Sequence, residues 1–279
     1  MNWLQLSGAF ELGLIYALVA MGVYITFRII DFPDLTVDGS FALGGVVAIV
    51  LLLNHYPPLL ATFIATLCGA MAGILTGYLH TRWNILGILA SILVMTALYS
   101  VNLRLMNQPN VALQNELTLF SWGSILWITA LIVILSLVIL VCFFHTHFGL
   151  AMRATHVNMA ICHAYGIQTT LMKIIALALS NGIVALSGAL FAQSQGFADI
   201  SMGTGTIIVG LASVILGESL FSPKQVVYAL LACIIGSILY RVAIVLALNG
   251  NQFGLLPSDL NLITALLVIS TLILPRLKQ

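Results

Sequence analysis

Charged side chains are scarce in this chain. Asp, Glu, Lys and Arg make up 6% of its 279 residues, whereas a soluble domain carries about 25% charged residues. Hydrophobic residues make up 61%. A soluble fold of this size could not cover its surface with so few polar groups, so the composition excludes that class. The net charge of +1 also gives no support to a nucleic-acid partner.

Long polar stretches are scarce as well, and apolar runs of about twenty residues recur along the whole chain. Each is long enough to cross a bilayer core of about 30 Å. In lipid the backbone must satisfy its own hydrogen bonds, and because the runs are continuous rather than alternating they predict helices. We expect an all-α polytopic protein, one transmembrane domain over 1–279, with about nine crossings. They are Gly8–Phe27, Leu35–Leu53, Leu59–Leu79, Ile85–Leu103, Phe120–Phe144, Leu171–Ala192, Ile200–Leu216, Val226–Leu248 and Leu260–Leu274.

Motifs for catalysis and for metal binding are missing. The cysteines are scattered, and no pair has the spacing of a metal site. No carboxylate lies between His145 and His163, so the histidines there predict no metal site. The sequence has no nucleophile elbow, no zinc-protease motif and no Walker loop. We therefore expect that this chain is not an enzyme and binds no cofactor. Met1–Ser7 lacks the basic residues of a signal peptide, so we expect no cleaved signal peptide.

Basic residues predict the orientation of the chain. The longest polar stretch is Phe148–Thr170. If this loop is cytoplasmic, most basic residues fall on the same side, the N-terminus lies outside, and Cys162 is reachable only from the cytoplasm. The cytoplasmic group is Arg28, Arg82, Arg153, Lys173, Lys224, Arg276 and Lys278, against Arg104 and Arg241 outside.

A faint internal repeat relates two parts of the chain. Ile30–Gly45 and Gln195–Gly210 share the pattern F-x-D-[LI]-[TS], followed by a helix rich in small residues. Asp34 corresponds to Asp199, and the predicted topology gives the two copies opposite orientations. Inverted repeats of this kind are common in transporters, where the path lies at the interface of the repeats.

The most polar segment beside a predicted membrane helix is Asp31–Ser40, D-F-P-D-L-T-V-D-G-S. One interpretation is capping alone, in which Asp31 or Asp34 accepts the free N–H groups of the next helix. The other adds a role in the transport path, because ionisable groups at membrane depth are costly and usually functional. Both interpretations remain open. The candidate path or gate residues are Asp34, Thr36, Asp38, Ser40, Asp199, Ser201 and Glu218.

Local contacts are expected around these residues. Asp199 is placed to cap a helix opened by Ser201. Arg28 is placed to neutralise Asp31, and Glu218 lies close enough in sequence to pair with Lys224.

The loop contains a compact amphipathic segment, G-L-A-M-R-A-T-H-V-N-M-A-I-C-H-A-Y-G-I, over Gly149–Ile167. Physically, it could lie as a short helix on the lipid headgroups. It also resembles the coupling-helix region of permeases of the branched-chain amino acid and ribose class of ABC importers. Their pattern is roughly G-x-A-x-R-A, then Asn or Asp, then a small residue, then G-I. The matching positions are Gly149, Ala151, Arg153, Ala154, Asn158, Gly166 and Ile167, with Cys162 where alanine is common.

The resemblance extends over nearly the whole chain. Tyr16–Ala48 is similar to the first two helices of such permeases, and Ser180–Glu218 is similar to the layout of their second half. The segment F-P-D-L-T-V-D-G-S-F-A-L-G-G resembles an amino-acid-type subgroup that accompanies lipoprotein or periplasmic binding proteins. Tryptophan or tyrosine is the suggested substrate for some of its members.

The resemblance implies a permease subunit that forms a homodimer in the lipid of the bacterial inner membrane. It would move a small solute, an amino acid or a related compound, by alternating access. A cytoplasmic ATPase would bind ATP and magnesium and dock on the coupling loop, about 148–170, while an external binding protein would select the solute. The alternative is an ion-coupled secondary transporter, in which Asp34, Asp38 and Asp199 carry coupling ions, but it leaves the loop unexplained.

Overall fold

The computed structural model describes residues 3–113, 116–221, 225–249 and residue 269. The first half is a series of long helices. Helix α1, Trp3–Tyr24, continues as a π-helical turn over Ile25–Ile29. Pro58 at the start of helix α3, Pro58–Trp83, has no N–H group to leave unsatisfied, and Asn84 in the left-handed conformation ends that helix. The other helices of this half are α2, Thr36–Leu53, and α4, Gly87–Met106.

The second half mixes long and short elements. A strand, β1, Asn110–Ala112, and a 3-10 turn, Leu119–Trp122, lead to the long helix α5, Ile125–His145. Two short helices follow, α6, His147–Val157, and α7, Met159–Ala164. The remaining elements are α8, Thr169–Gln195, β2, Phe197–Asp199, α9, Thr206–Phe221, and α10, Val226–Asn249. The two strands pair antiparallel, with Asn110 opposite Asp199, and are called the β-ribbon below.

The all-α polytopic architecture is confirmed. Within the described residues, seven helices are long and apolar enough to cross a membrane. The predicted number of nine is therefore approximate. Leu260–Leu274 lies outside the described residues except at residue 269. The seven spans are Gln5–Ile29, Thr36–Leu53, Pro58–Trp83, Gly87–Met106, Ile125–His145, Thr169–Gln195 and Val226–Ala247.

Two predicted boundaries were wrong. The crossing expected over Ile200–Leu216 begins only at Thr206, because residues 200–205 form a turn. Helix α9 is apolar but shorter than the seven spans. The crossing expected from Phe120 begins at Ile125, because the chain first makes the 3-10 turn and an extended bend at Gly123.

Helix α8 packs tightly against α2 and α3. An added Cβ atom at Gly188 would overlap the backbone oxygen of Phe41 in α2, and one at Gly73 in α3 would overlap that of Leu177. Such close contacts are possible only at glycine, which has no Cβ atom, and small residues serve the same purpose at many interfaces of membrane helices. These glycines therefore fix how closely α2 and α3 approach α8, and with it the position of the polar groups between them.

The polar elements gather at opposite ends of α8. The β-ribbon follows its last residues, and α7 lies just before its first. At the α7 end, Arg28 after α1 forms an ion pair with Glu218 near the end of α9. In the predicted orientation, the α6–α7 end is cytoplasmic and the β-ribbon is external.

Candidate functional site

Helix α2 begins inside the bundle rather than at its edge. Just before it, Asp34 is completely buried. Its Oδ1 accepts a hydrogen bond from the backbone N–H of Thr36 at 2.9 Å. Its Oδ2 accepts one from Nδ2 of Asn181, near the middle of α8, at 2.7 Å. The predicted capping by Asp34 is thus confirmed, and the same carboxylate also joins α2 to α8.

The hydrogen bonds continue from Asp34 to two further helices. Ser40 donates to Oδ1 of Asn181 at 2.6 Å, and the hydroxyl oxygens of Thr36 and Thr76 lie 2.8 Å apart. Since Thr76 belongs to α3, the network joins α2, α3 and α8. We call these buried residues the Asp34 cluster: Asp34, Thr36, Ser40, Thr76 and Asn181.

Sequence reasoning missed Thr76 and Asn181. Each is a single polar residue in an apolar run, a pattern typical of membrane helices in general. The available signal was physical: a buried carboxylate requires donors, and few polar side chains in the predicted crossings can supply them.

Asp31 and Arg28 do not interact as expected. Arg28 pairs with Glu218, a residue far away in sequence, and Asp31 is exposed in the left-handed conformation with φ of 50°. Arg28 lies within the π-helical turn Ile25–Ile29, whereas Asp31 follows that turn. Lys224, the other expected partner of Glu218, lies outside the described residues.

Helix α9 also begins next to α2. Oδ2 of Asp38 accepts a hydrogen bond from the N–H of Gly205 at 3.0 Å, and Oδ1 accepts one from that of Ile207 at 2.8 Å. A carboxylate at this position satisfies free N–H groups and favours the positive end of the helix dipole. The two helix starts are therefore held together by Asp38.

Asp199 does not cap α9, so that prediction was wrong. Its Oδ1 accepts from the N–H and the hydroxyl of Ser201, within the turn that precedes the helix. Asn110 of the β-ribbon donates to Oδ2 at 3.3 Å. Asp199 accepts a hydrogen bond from the backbone N–H two residues later, as Asp34 does from that of Thr36. This shared local geometry supports the predicted repeat.

The candidate path residues thus occupy separate places. Asp34, Thr36 and Ser40 meet in the Asp34 cluster, and Asp38 lies beside the start of α9. Asp199 and Ser201 lie at the β-ribbon, whereas Glu218 lies near the α7 end. A cavity of about 240 Å³ adjoins Asp38. It is lined by Asp38, Gly39, Ala42, Met95, Thr96, Tyr99, Asn102, Ile200, Gly203 and Thr204.

The predicted coupling segment folds as two short helices instead of one. Asn158 lies between α6 and α7, where its Oδ1 accepts from the N–H of Ile161 at 3.1 Å and so caps α7. Thr146 caps α6 by accepting from the N–H of Gly149 at 3.3 Å. We call residues 147–165 the helix corner. Asn158 therefore has a local structural role that the sequence pattern did not indicate.

One side of the helix corner is buried and the other is exposed. Met152 and Thr155 are buried, and Gly149 lies so close to Phe143 that an added Cβ atom would overlap its backbone oxygen. Val157 and Tyr165 are both 82% exposed. Cys162 is buried, so a thiol reagent is not expected to reach it from either side of the membrane, contrary to the sequence-based expectation.

The remaining coupling positions surround two grooves. Ala151, Ala154, Gly166 and Ile167 line a groove of about 600 Å³ between α6 and the start of α8. Arg153 lines a second groove, of about 410 Å³, together with Arg28 and Gln225. Among the residues that the structure describes, Arg153 forms no ion pair. The second groove brings the helix corner next to the ends of α1 and α10.

Comparisons with known proteins define the class first. The family described as the branched-chain amino acid transport system permease component matches residues 6–274. The chain belongs to this family, and is a multi-pass permease component of an ABC-type amino acid transport system of the bacterial inner membrane. It is not a catalytic subunit, and its family favours this class over an ion-coupled transporter.

Individual relatives show how far the similarity extends. A tyrosine transport system permease protein of Clostridioides difficile is 40% identical over 93% of this chain and 87% of its own. An uncharacterised protein of Rickettsia prowazekii is 33% identical over 95% of both chains. A probable branched-chain amino acid transport permease of Methanocaldococcus jannaschii is 26% identical over 66% of this chain and 64% of its own. No solved structure matches the chain significantly.

Proposed function

We propose that this chain transports an aromatic amino acid of the tyrosine type as one half of a homodimeric permease. A cytoplasmic ATPase, which binds ATP and magnesium, drives it, and an external binding protein delivers the solute. The substrate is suggested by the tyrosine permease of Clostridioides difficile, which is 40% identical to this chain. The partners follow from the type of transport system to which the family belongs.

The helix corner is the proposed docking site for the ATPase, and its exposed face is the observation that carries the proposal. Val157 and Tyr165 are exposed apolar side chains at one end of the bundle. Arg153 adds a charge that no described carboxylate neutralises. An apolar patch with an available arginine is typical of a protein contact, because arginine forms several directed hydrogen bonds to carboxylates.

Movement of the helix corner has a direct route into the bundle. Its buried side, including Met152, packs with the main hydrophobic core. Through its groove, Arg153 adjoins Arg28, which is paired with Glu218 on α9. Movement of the helix corner would therefore displace α1 and α9 together. Helix α9 ends near the Arg28–Glu218 ion pair and begins beside Asp38 of α2, so it connects the coupling end with the two internal helix starts.

The two internal helix starts are the proposed moving part of the transport path. Discontinuous helices in transporters place helix ends at membrane depth, where they face the solute. Here Asp34 and Asp38 hold the starts of α2 and α9 in one arrangement. Alternating access requires a second arrangement, reached when ATP-driven movement separates α9 from α2. Asp199, at the β-ribbon, lies at the end where the solute would arrive.

Reconstitution tests this function. The permease is co-expressed with a candidate ABC ATPase from the same organism, purified, and placed in proteoliposomes with a candidate binding protein and labelled tyrosine. We expect a complex with two copies of this chain, and uptake that requires ATP and magnesium. Leucine and tryptophan as competitors define the substrate class. Uptake by this chain alone, driven by a proton or sodium gradient, would contradict the proposal and favour secondary transport.

A further inference from the structure

The cavity beside Asp38 is separate from the helix corner. It lies between α2, α4 and the 200–205 turn. Its volume of about 240 Å³ is below the range of about 300–1,000 Å³ typical of pockets for drug-sized ligands. Thr96 and Tyr99 on its wall are exposed, whereas Asn102 is buried. The cavity therefore extends from the surface of α4 into the bundle and has room for one small solute.

Asn102 has an unsatisfied hydrogen-bond acceptor. The residue is 1% exposed, and its Oδ1 accepts no hydrogen bond from any residue that the structure describes. Buried polar groups in native proteins nearly always have partners, so an exception requires an explanation. Asn102 lines the cavity, and a half-turn of its side-chain amide would turn this oxygen toward a solute that donates an N–H group.

When ionised, Asp38 gives the cavity a negative charge. Each of its oxygens accepts one backbone N–H, but an ionised carboxylate has about four acceptor positions. The start of α9 contributes only about half a positive charge. None of the described residues that line the cavity is lysine or arginine. The cavity therefore favours a solute group that is both positively charged and a hydrogen-bond donor.

The rest of the lining suits a compact organic ammonium compound. Tyr99 provides an aromatic ring on which a cation can lie. Met95, Ala42 and Ile200 provide apolar surface around the polar pair. An inorganic cation would gain nothing from this apolar surface, whereas the carbon skeleton of an amino acid would.

We infer that this cavity is a solute-binding site of the transport path that recognises an ammonium group through Asp38 and Asn102. The inference rests on the proposed function, which makes the solute an amino acid. It adds the location and the polarity of the contact, and assigns roles to Asn102 and Tyr99 that the sequence did not suggest.

Two thiol reagents of opposite charge test the site without any assumption about the natural solute. Thr96→Cys is made in full-length chain in which all four native cysteines are replaced. Membranes are treated with 2-aminoethyl methanethiosulfonate, which carries an ammonium group, or with its sulfonate analogue. We expect the ammonium-to-sulfonate rate ratio at Thr96→Cys to exceed that at the control Ser100→Cys by about tenfold. Ser100 is exposed on the same helix but does not line the cavity.

Further substitutions locate the source of the preference. Asp38→Asn should lower the ratio at Thr96→Cys to the control value, and Asn102→Leu should reduce it part of the way. Equal ratios at Thr96→Cys and Ser100→Cys would overturn the inference. So would a failure of both reagents to react at Thr96→Cys, because a solute site must admit water.

Uptake by the complete complex, with native cysteines, gives a second measurement. Asn102→Leu should raise the KM for tyrosine about tenfold, because the ammonium group loses a buried acceptor, whereas Ser100→Ala should leave KM unchanged. Normal KM in Asn102→Leu would overturn the site and leave the proposed function intact. If the wild-type complex does not transport tyrosine, the proposed substrate fails, and the reagent ratios still decide whether the cavity selects ammonium groups.

Discussion

At the scale of single residues, the carboxylate of Asp34 joins two helices inside the described bundle. It is completely buried, and its oxygens hold the start of α2 and the side chain of Asn181. Asp34→Ala would leave the N–H of Thr36 and one N–H of Asn181 buried without an acceptor, at a cost of about 1–3 kcal/mol for each, while the other N–H of Asn181 keeps its bond to the carbonyl oxygen of Leu177. We expect a clearly lower midpoint of thermal unfolding for the purified protein.

The neighbouring Asp31 provides the control for this prediction. It is an exposed aspartate in the same loop, in a left-handed conformation that asparagine also tolerates, so Asp31→Asn should change stability by no more than about 0.5 kcal/mol. If both variants unfold at the same temperature as the wild type, the Asp34 cluster does not stabilise the junction of α2, α3 and α8.

Arg153 leads to a prediction about coupling. It is exposed and without an ion pair among the described residues, so Arg153→Ala should leave expression and insertion intact. If its contact with the ATPase is a buried charge pair, its loss costs roughly 2–5 kcal/mol. We expect ATP hydrolysis to continue in the reconstituted complex while uptake falls.

The control for coupling is Arg82→Ala, which removes another exposed arginine on the predicted cytoplasmic side. It should retain both activities. Wild-type uptake and hydrolysis in Arg153→Ala would show that the helix corner is not the coupling element. Asn158→Leu would test coupling less cleanly than Arg153→Ala, because loss of the cap on α7 alone costs about 1 kcal/mol.

Sequence reasoning at this scale succeeded where partners were close along the chain. The bond from Asp34 to Thr36 follows from capping chemistry. The bonds to Asn181 and Thr76, and the ion pair between Arg28 and Glu218, depend on how helices pack. Such pairing is invisible in one sequence, because an isolated polar residue in an apolar run does not indicate which helix it will face.

At the scale of elements, the contact between α2 and α8 depends on Gly188. A Cβ atom there would overlap the backbone oxygen of Phe41. Gly188→Ala should therefore force the helices apart, disturb the Asp34 cluster, and lower both thermal stability and uptake. Gly8→Ala is the matched control, since nothing lies within 4 Å of a Cβ atom at Gly8 in α1.

Helix propensity and steric overlap predict opposite effects of alanine at Gly8 and at Gly188. Alanine in place of a helical glycine normally stabilises by about 1 kcal/mol, so Gly8→Ala should be neutral or slightly stabilising. If Gly188→Ala has the same effect as Gly8→Ala, the close approach of α2 and α8 is not required.

Elements differed in how well the sequence predicted them. Long apolar helices such as α3 and α8 were predicted well, because their length is set by the bilayer. The start of α9 was placed too early, since the small residues of the 200–205 turn are as compatible with a packed helix as with a turn. The helix corner was expected as one helix because its amphipathic pattern continues across Asn158, where only the capping bond reveals the break.

At the scale of the whole molecule, the class followed from composition, because 61% hydrophobic and 6% charged residues permit only a membrane protein. The meeting of α2 and α9 at Asp38 could not be predicted. Asp38 and Ile207 are far apart in sequence, and their bond depends on how the two repeat copies pack together. The repeat pattern indicated two related halves but not the contact between their helix starts.

Orientation in the membrane gives the last prediction. The helix corner and the 3-10 turn provide exposed positions, Tyr165 at 82% and Trp122 at 64%. In a chain with Cys142 replaced, since that thiol is exposed, Tyr165→Cys should react with a membrane-impermeant maleimide only after the cells are opened. Trp122→Cys should react in intact cells, because the 3-10 turn is reached from the predicted external end of α4 and leads into α5.

The pair provides an internal control, since each variant shows that the reagent works where the other is protected. Labelling of Tyr165→Cys in intact cells would place the helix corner outside, where no ATPase could dock, and would contradict the coupling mechanism.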